Sequence, residues 1–213
     1  IVLLAALVMP MVALANSGEV ELEPAPINLD DHVSLQRGAQ LFVNNCMGCH
    51  SAKYVRYERM ATDLDIPPAV ALKNLAFTTE KIGDPMISAM PKDLAKKWFG
   101  NPPPDLSLEA RLRGSDWVYA YLTGFYKDAK RPFGVNNHVF PDVGMPNVLQ
   151  TMQESVTEAE FKSRMADLTN YLVYMSEPVR AQREHLGVWV LLFILFLGVP
   201  VYFLNREYWK DVH

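Results

Sequence analysis

Apolar residues recur at helical spacing in two well-separated stretches of the chain. In Ser34–Asn45, Leu35, Ala39, Phe42 and Val43 form one stripe, and Ser34 can cap the start. Between Thr157 and Ser176, Phe161, Met165, Leu168, Leu172 and Met175 repeat at the same period. Thr157 with Glu160 three residues on reads as a capping box, and Glu177-Pro178 ends the run. Ser115–Thr123 predicts a third, capped by Ser115 and closed by Gly124. Ser51–Met60, with Tyr54 and Tyr57, reads as helical, and Lys92–Phe99 as a short helix. Asn101-Pro102-Pro103-Pro104-Asp105 must be extended, because proline lacks an amide hydrogen and blocks the preceding turn. Lys127–Asn147 is dense in Pro, Gly and Asn and reads as loop. No alternation is strong enough to propose a sheet, so the expected class is mostly α.

One stretch has no polar face. Gly187–Leu204 carries no charge and, at ~1.5 Å per residue, is about 27 Å long, enough to cross a bilayer with its flanks. Arg183, Glu184 and His185 bound it on one side, and Asn205, Arg206 and Glu207 on the other. Trp189, Tyr202, Tyr208 and Trp209 suit the two interfaces. A transmembrane anchor is therefore expected at 185–205, with a short tail at 206–213. Ile1–Ala15 is also almost purely apolar and ends in Ala13-Leu14-Ala15. It reads as the apolar region and cleavage site of a secretory signal whose charged start is missing; the alternative is a short anchor, about 22 Å long. Either way residues 16–184 are expected outside the cytoplasm, with the C-terminus inside.

The 213 residues are half hydrophobic, ample for one core, and the net charge of −4 argues against a nucleic-acid partner. Acidic residues gather in Asn16–Asp31, where Glu19, Glu21, Glu23, Asp30 and Asp31 flank Pro24 and Pro26. Such a run is usually solvated, though it could attract a basic partner.

Chemistry enters with Cys46-Met47-Gly48-Cys49-His50. Two thiols at this spacing can add across the vinyl groups of one haem, and the adjacent His50 can ligate its iron. Zinc would need four ligands, but Cys46 and Cys49 are the only cysteines and His32, His138, His185 and His213 are scattered. A thiol–disulfide redox pair is the stronger rival, although it expects a strand before the motif rather than a helix.

A low-spin haem needs a second axial ligand, usually Met or His. Met145 is the candidate, because Gly144 allows close backbone approach and Pro146 stiffens the loop. Met86 and Met90 lie in an irregular region and compete, as does His138. Met165 and Met175 sit on a helical stripe and read as core.

Taken in order, these motifs resemble the cytochrome c1 family, the haem subunits of the bc1 complex (quinol–cytochrome c reductase), in a bacterial form. The resemblance rests on Cys46–Ser51 with Tyr54, on Asn101-Pro102-Pro103-Pro104-Asp105-Leu106-Ser107, and on Asp116-Trp117 leading to Leu122-Thr123-Gly124. Phe140-Pro141 before Gly144-Met145-Pro146 and the C-terminal apolar helix complete it. It implies a c-type cytochrome domain in the periplasm, in which the helices at Ser34–Asn45 and Thr157–Ser176 cross, anchored to the inner membrane and carrying one haem c attached through Cys46 and Cys49. It implies His50 and Met145 as iron ligands, with Asn101, Pro103, Pro104, Phe140, Val143 and Pro146 around the haem. Arg113, or Arg111, is implied at a propionate beside Trp117. The implied partners are cytochrome b, the Rieske iron–sulfur protein, and a soluble or membrane-bound cytochrome c, in a dimeric complex. Another membrane-anchored c-type carrier and an exported thiol oxidoreductase are the alternatives.

Overall fold

The computed structural model describes residues 22–211, so the apolar segment Ile1–Ala15 and the chain's last two residues lie outside the described part. The helices in chain order are α1 (His32–Asn45), α2 (Tyr57–Asp63), α3 (Pro68–Asn74), α4 (Lys92–Phe99), α5 (Glu109–Arg113), α6 (Ser115–Thr123), α7 (Gln150–Ser155), α8 (Glu158–Ser176) and α9 (Arg180–Tyr208). Two antiparallel pairs join them: β1 (Ala52–Arg56) with β2 (Pro85–Met86), and β3 (Phe125–Lys127) with β4 (Val135–Asn137).

The expected crossing of α1 and α8 is the centre of the fold. Leu35, Ala39, Phe42 and Val43 bury against α8, and the Phe42 and Tyr171 rings meet at 5.6 Å. Each large side chain hidden in this way stabilises the fold by roughly 2 kcal/mol. The axes come close because residue 38 is glycine: a Cβ there would overlap the Asp167 carbonyl oxygen and sit 2.6 Å from Tyr171 Cβ. At the rim, Arg37 donates from Nε and Nη2 to the Asp167 carboxylate, at 2.5 and 2.8 Å. From residue 167 to 176 every residue of α8 is buried, because α5 and α6 pack on the sides that α1 leaves free. Asn170 satisfies its polar groups there through Asn28 and Ser34.

Four local expectations change. The cap of α1 is Asp31, whose carboxylate accepts from Ser34 N at 2.9 Å, while the Ser34 hydroxyl turns inward to Asn170. The cap of α6 is Gly114, with φ of 90°, and not Ser115, whose hydroxyl donates to Asp116. Ser51–Met60 is no single helix: Ala52–Arg56 pairs with β2 and the helix begins only at Tyr57. The expected loop 127–147 overlaps a hairpin, in which Phe125–Lys127 pairs with Val135–Asn137. Thr157 does cap α8, accepting from Glu160 N at 3.2 Å, and Lys92–Phe99 is helical.

α9 runs for 29 residues with Pro200 inside it, and it is long and apolar enough to cross a membrane with none of its apolar window buried in the protein.

Gly38→Ala should destabilise the domain by about 3 kcal/mol through overpacking. A thermal melt of the detergent-solubilised protein should show this as a fall of roughly 10 °C. An unchanged melting temperature would mean that the helices do not meet at this glycine.

Candidate haem site

The attachment motif continues α1 as one hydrogen-bonded turn. Cys46 N and Met47 N donate to Phe42 O, and Cys49 N and His50 N donate to Cys46 O. Ser88 holds the turn from outside, its hydroxyl donating to Gly48 O at 3.0 Å and its amide to Ser51 Oγ at 2.9 Å. Underneath, the buried Tyr57 hydroxyl donates to Met47 Sδ at 3.2 Å.

Both thiols are free, Cys46 buried and Cys49 half-buried. Burial pushes the Cys46 thiol up to about 12, with the neighbouring Cys49 adding to the shift. The turn stands at the C-terminal end of α1, where the helix dipole opposes a thiolate. A thiol redox pair needs the reverse, a depressed pKa at a helix N-terminus. The environment suits thiols that are consumed in thioether bonds.

His50 is buried, and its Nδ1 lies 2.8 Å from Pro104 O. A carbonyl can only accept, so Nδ1 carries the proton and Nε2 keeps a lone pair for a metal. Burial lowers the His50 pKa, the Pro104 carbonyl opposing in part, which favours the neutral imidazole that ligation requires. The proline segment is pinned alongside. Lys53 N donates to Asp105 Oδ2 and Tyr54 N to Ser107 Oγ, while Leu106 N donates to Ser51 O at 2.8 Å. Asp105 and Ser107 thus set where the Pro104 carbonyl stands. The sequence marked both as part of the proline motif but gave them no role.

An aromatic group forms the second part of the site. Trp117 stacks on Tyr121 at 5.1 Å, Phe125 and Phe140 meet Tyr121 edge-on, and Phe140 meets Trp117 likewise. The Arg113 guanidinium lies 4.8 Å above the Trp117 ring and 6.0 Å from that of Phe140. Arg111 goes elsewhere, 3.6 Å from Glu177 at the foot of the membrane helix. Met145 is half-buried beside a small apolar cluster of Phe125, Val135 and Val143. Its Sδ accepts from the Tyr121 hydroxyl at 3.4 Å, and burial pushes that phenol up to about 12. Tyr121 was missed from sequence, although it follows Trp117 at the i+4 spacing.

The remaining candidates separate. Pro103 and Pro146 are half-buried, whereas Asn101 and Pro104 are exposed apart from the Pro104 carbonyl contact. Met86 is fully buried in the core, accepting from Tyr171 at 3.5 Å. His138 is exposed and stacks on Tyr126 at 4.5 Å. The donor set therefore fits a covalently held haem: two unpaired thiols, a neutral imidazole with a free Nε2, and a thioether on an aromatic wall.

In haem-free protein, alkylation at pH 8 followed by peptide mass spectrometry should label Cys49 well ahead of Cys46. A pKa of about 12 leaves only about one Cys46 in ten thousand as thiolate. Equal labelling would show that Cys46 is not buried as described.

The Cytochrome C1 family profile matches residues 25–85 and 74–212. A cytochrome c1 of Allochromatium vinosum is 46% identical over 97% of this chain and 96% of its own length. A protein of Nitrosomonas europaea named ammonia monooxygenase gamma subunit is 42% identical over 99% of this chain and 97% of its own. A chain of a hyperthermophilic respiratory complex III overlays with a TM-score of 0.47 at 19% identity, covering 92% of this chain and 89% of that one. With its haem-attachment turn, oriented imidazole and C-terminal apolar helix, the chain belongs to the cytochrome c1 family, whose members are electron-transfer subunits of the bc1 complex.

Proposed function

We propose that this chain carries single electrons in a bacterial quinol–cytochrome c reductase, taking them from the Rieske iron–sulfur protein and passing them to a cytochrome c. The observation that supports it best is the buried His50 imidazole, whose proton is committed to the Pro104 carbonyl beside two unpaired thiols. Haem c, bound through Cys46 and Cys49, supplies a reversible one-electron change at its iron.

The protein's part is to hold that group without moving. Cys46 and Cys49 tether it to the end of the most deeply packed helix pair. His50 and Met145 would ligate its iron. The His50 proton stays on Nδ1, so the imidazole remains neutral in both redox states and its orientation does not depend on them. As a thioether ligand, Met145 would favour the ferrous state and raise the potential. Pro103, Pro104, Phe140, Val143, Pro146 and Asn101 line the haem and limit water. Arg113, resting on Trp117, pairs with a propionate, which would otherwise be costly to bury. Arg111, 3.6 Å from Glu177, is the alternative for that role.

α9 serves as the lipid anchor at 185–205, with the haem domain 16–184 in the periplasm and the tail 206–213 in the cytoplasm. Cytochrome b and the Rieske protein are the partners within a dimeric complex. Quinol chemistry belongs to those partners, and no bond of a substrate is broken in this chain.

Quinol added to membranes containing the chain should raise a c-type α-band, and removing the Rieske subunit should abolish the rise. Met145→Leu should keep the haem covalently attached and lower its potential by more than about 59 mV, a tenfold change in the one-electron equilibrium. A potential within a few millivolts of wild type would remove Met145 as ligand. A c-type band indifferent to quinol would place the chain in another pathway, and the ammonia monooxygenase name of the 42%-identical relative would then be the reading to pursue.

A further inference from the structure

The backbone that carries Met145 has no ladder or helix of its own. From residue 138 to 149 the chain is neither strand nor helix, and side chains hold it instead. Asn137, almost fully buried, accepts from Val139 N and Phe140 N through Oδ1 and donates to Tyr121 O at 2.8 Å. Asn136 accepts from Asp142 N at 2.9 Å. Asp142 then takes a φ of 63°, a left-handed conformation uncommon outside glycine. Such a residue relaxes unless its surroundings fix it.

Arg131 supplies that fixing. It sits in the β3–β4 turn and reaches the segment just before the thioether. Its Nη1 donates to the Asp142 carboxylate at 2.8 Å, and its Nη2 donates to Asp142 O at 2.6 Å and to Val143 O at 3.4 Å. The Asp142 carboxylate is 80% exposed, so that ion pair is largely screened. The bond to the Val143 carbonyl lies deeper, because Val143 is buried. Among the described residues, Arg131 Nε is the one buried side-chain nitrogen or oxygen without a hydrogen-bond partner. A guanidinium is thus kept here despite an unmet donor, and its planar fork is what lets it bind the carboxylate and both carbonyls together.

We propose that Arg131 is a positioning residue for the Met145 thioether, clamping the Asp142 and Val143 carbonyls so that the sulfur two residues on holds its place on the iron. The inference rests on Met145 being the sixth ligand. Without the clamp, Asp142 leaves the left-handed region, and the Gly144 step lets the thioether swing away.

The test uses the full chain assembled in native membranes. Arg131→Gln, Arg131→Lys and Asp142→Asn are compared with wild type for covalent haem content, for the sulfur-to-ferric-iron charge-transfer band, and for carbon monoxide binding to the ferrous haem. Wild type should show the band and resist carbon monoxide. Arg131→Gln should retain covalent haem, lose at least half of the band and bind carbon monoxide. Arg131→Lys, which offers a single charged point, should fall between. Asp142→Asn keeps both carbonyls and tolerates the left-handed φ, so it should match wild type. A merely structural arginine would lower the melting temperature and leave the band intact. The proposal is overturned if Arg131→Gln keeps the full band and stays inert to carbon monoxide, or if Asp142→Asn loses as much as Arg131→Gln. If Arg131→Gln does not accumulate, the same readings on Arg131→Lys decide. A wild-type protein that lacks the band and binds carbon monoxide would overturn the Met145 assignment, and the clamp with it; this is read before any variant is made.

Discussion

The contact between Gly38 and the backbone of α8 governs much of what lies around it. With no side chain at residue 38, α1 can lie against the Asp167 carbonyl and Tyr171. Phe42 then reaches the Tyr171 ring, and the last turn of α1 runs without interruption into Cys46. The thiols and His50 inherit their position from a closely packed helix crossing. Electron transfer benefits from such support, because a site that moves little on changing charge costs little to reorganise.

The two sides of the site are built on different principles. The His50 side is attached to the main core by hydrogen-bonded turns, with Asp105 and Ser107 fixing the proline segment to β1. The Met145 side belongs to a small cluster around Phe125, Val135 and Val143. Only three apolar side chains, Phe125, Val135 and Val143, are buried in it, and polar side chains hold the loop beside them. A buried amide such as Asn137 is worth keeping only when its partners are present, since leaving one unmet costs about 1–3 kcal/mol. Here its oxygen takes two backbone amides and its nitrogen finds Tyr121 O, so the loop shape and the aromatic wall are specified together.

Much of this was readable from the chain, for identifiable reasons. The α1 and α8 stripes were clear because long amphipathic helices repeat their signal over several turns. The attachment motif was clear because covalent chemistry demands its spacing. Strands of two to five residues gave no alternation to detect, so β1 with β2 and the β3–β4 hairpin passed as helix and loop. Asp31 was read as part of a solvated acidic run, yet its backbone position makes it the α1 cap. Arg111 and Arg113 could not be told apart by spacing; Arg113 rests on Trp117 and meets Glu109 at 3.3 Å, while Arg111 meets Glu177 at 3.6 Å. Arg131, Asn136 and Asn137 looked like ordinary loop composition, since their importance lies in contacts made with residues 139–143.

The same logic extends to the membrane end. Glu177 stands where α8 stops and the chain turns toward α9, and it accepts from Arg183 at 2.7 Å with Arg111 3.6 Å away. Its pKa is lowered, chiefly by the Arg183 hydrogen bond, so it remains charged at neutral pH. Both arginines are more than half exposed, and pairs of this kind contribute little rigidity. The orientation of the haem domain over the bilayer must then come from surfaces that this chain does not bury by itself. α9 buries none of its apolar window, and its outward Phe and Leu side chains need lipid or a neighbouring helix. The chain therefore builds its redox site internally and leaves its alignment with electron donor and acceptor to the complex around it.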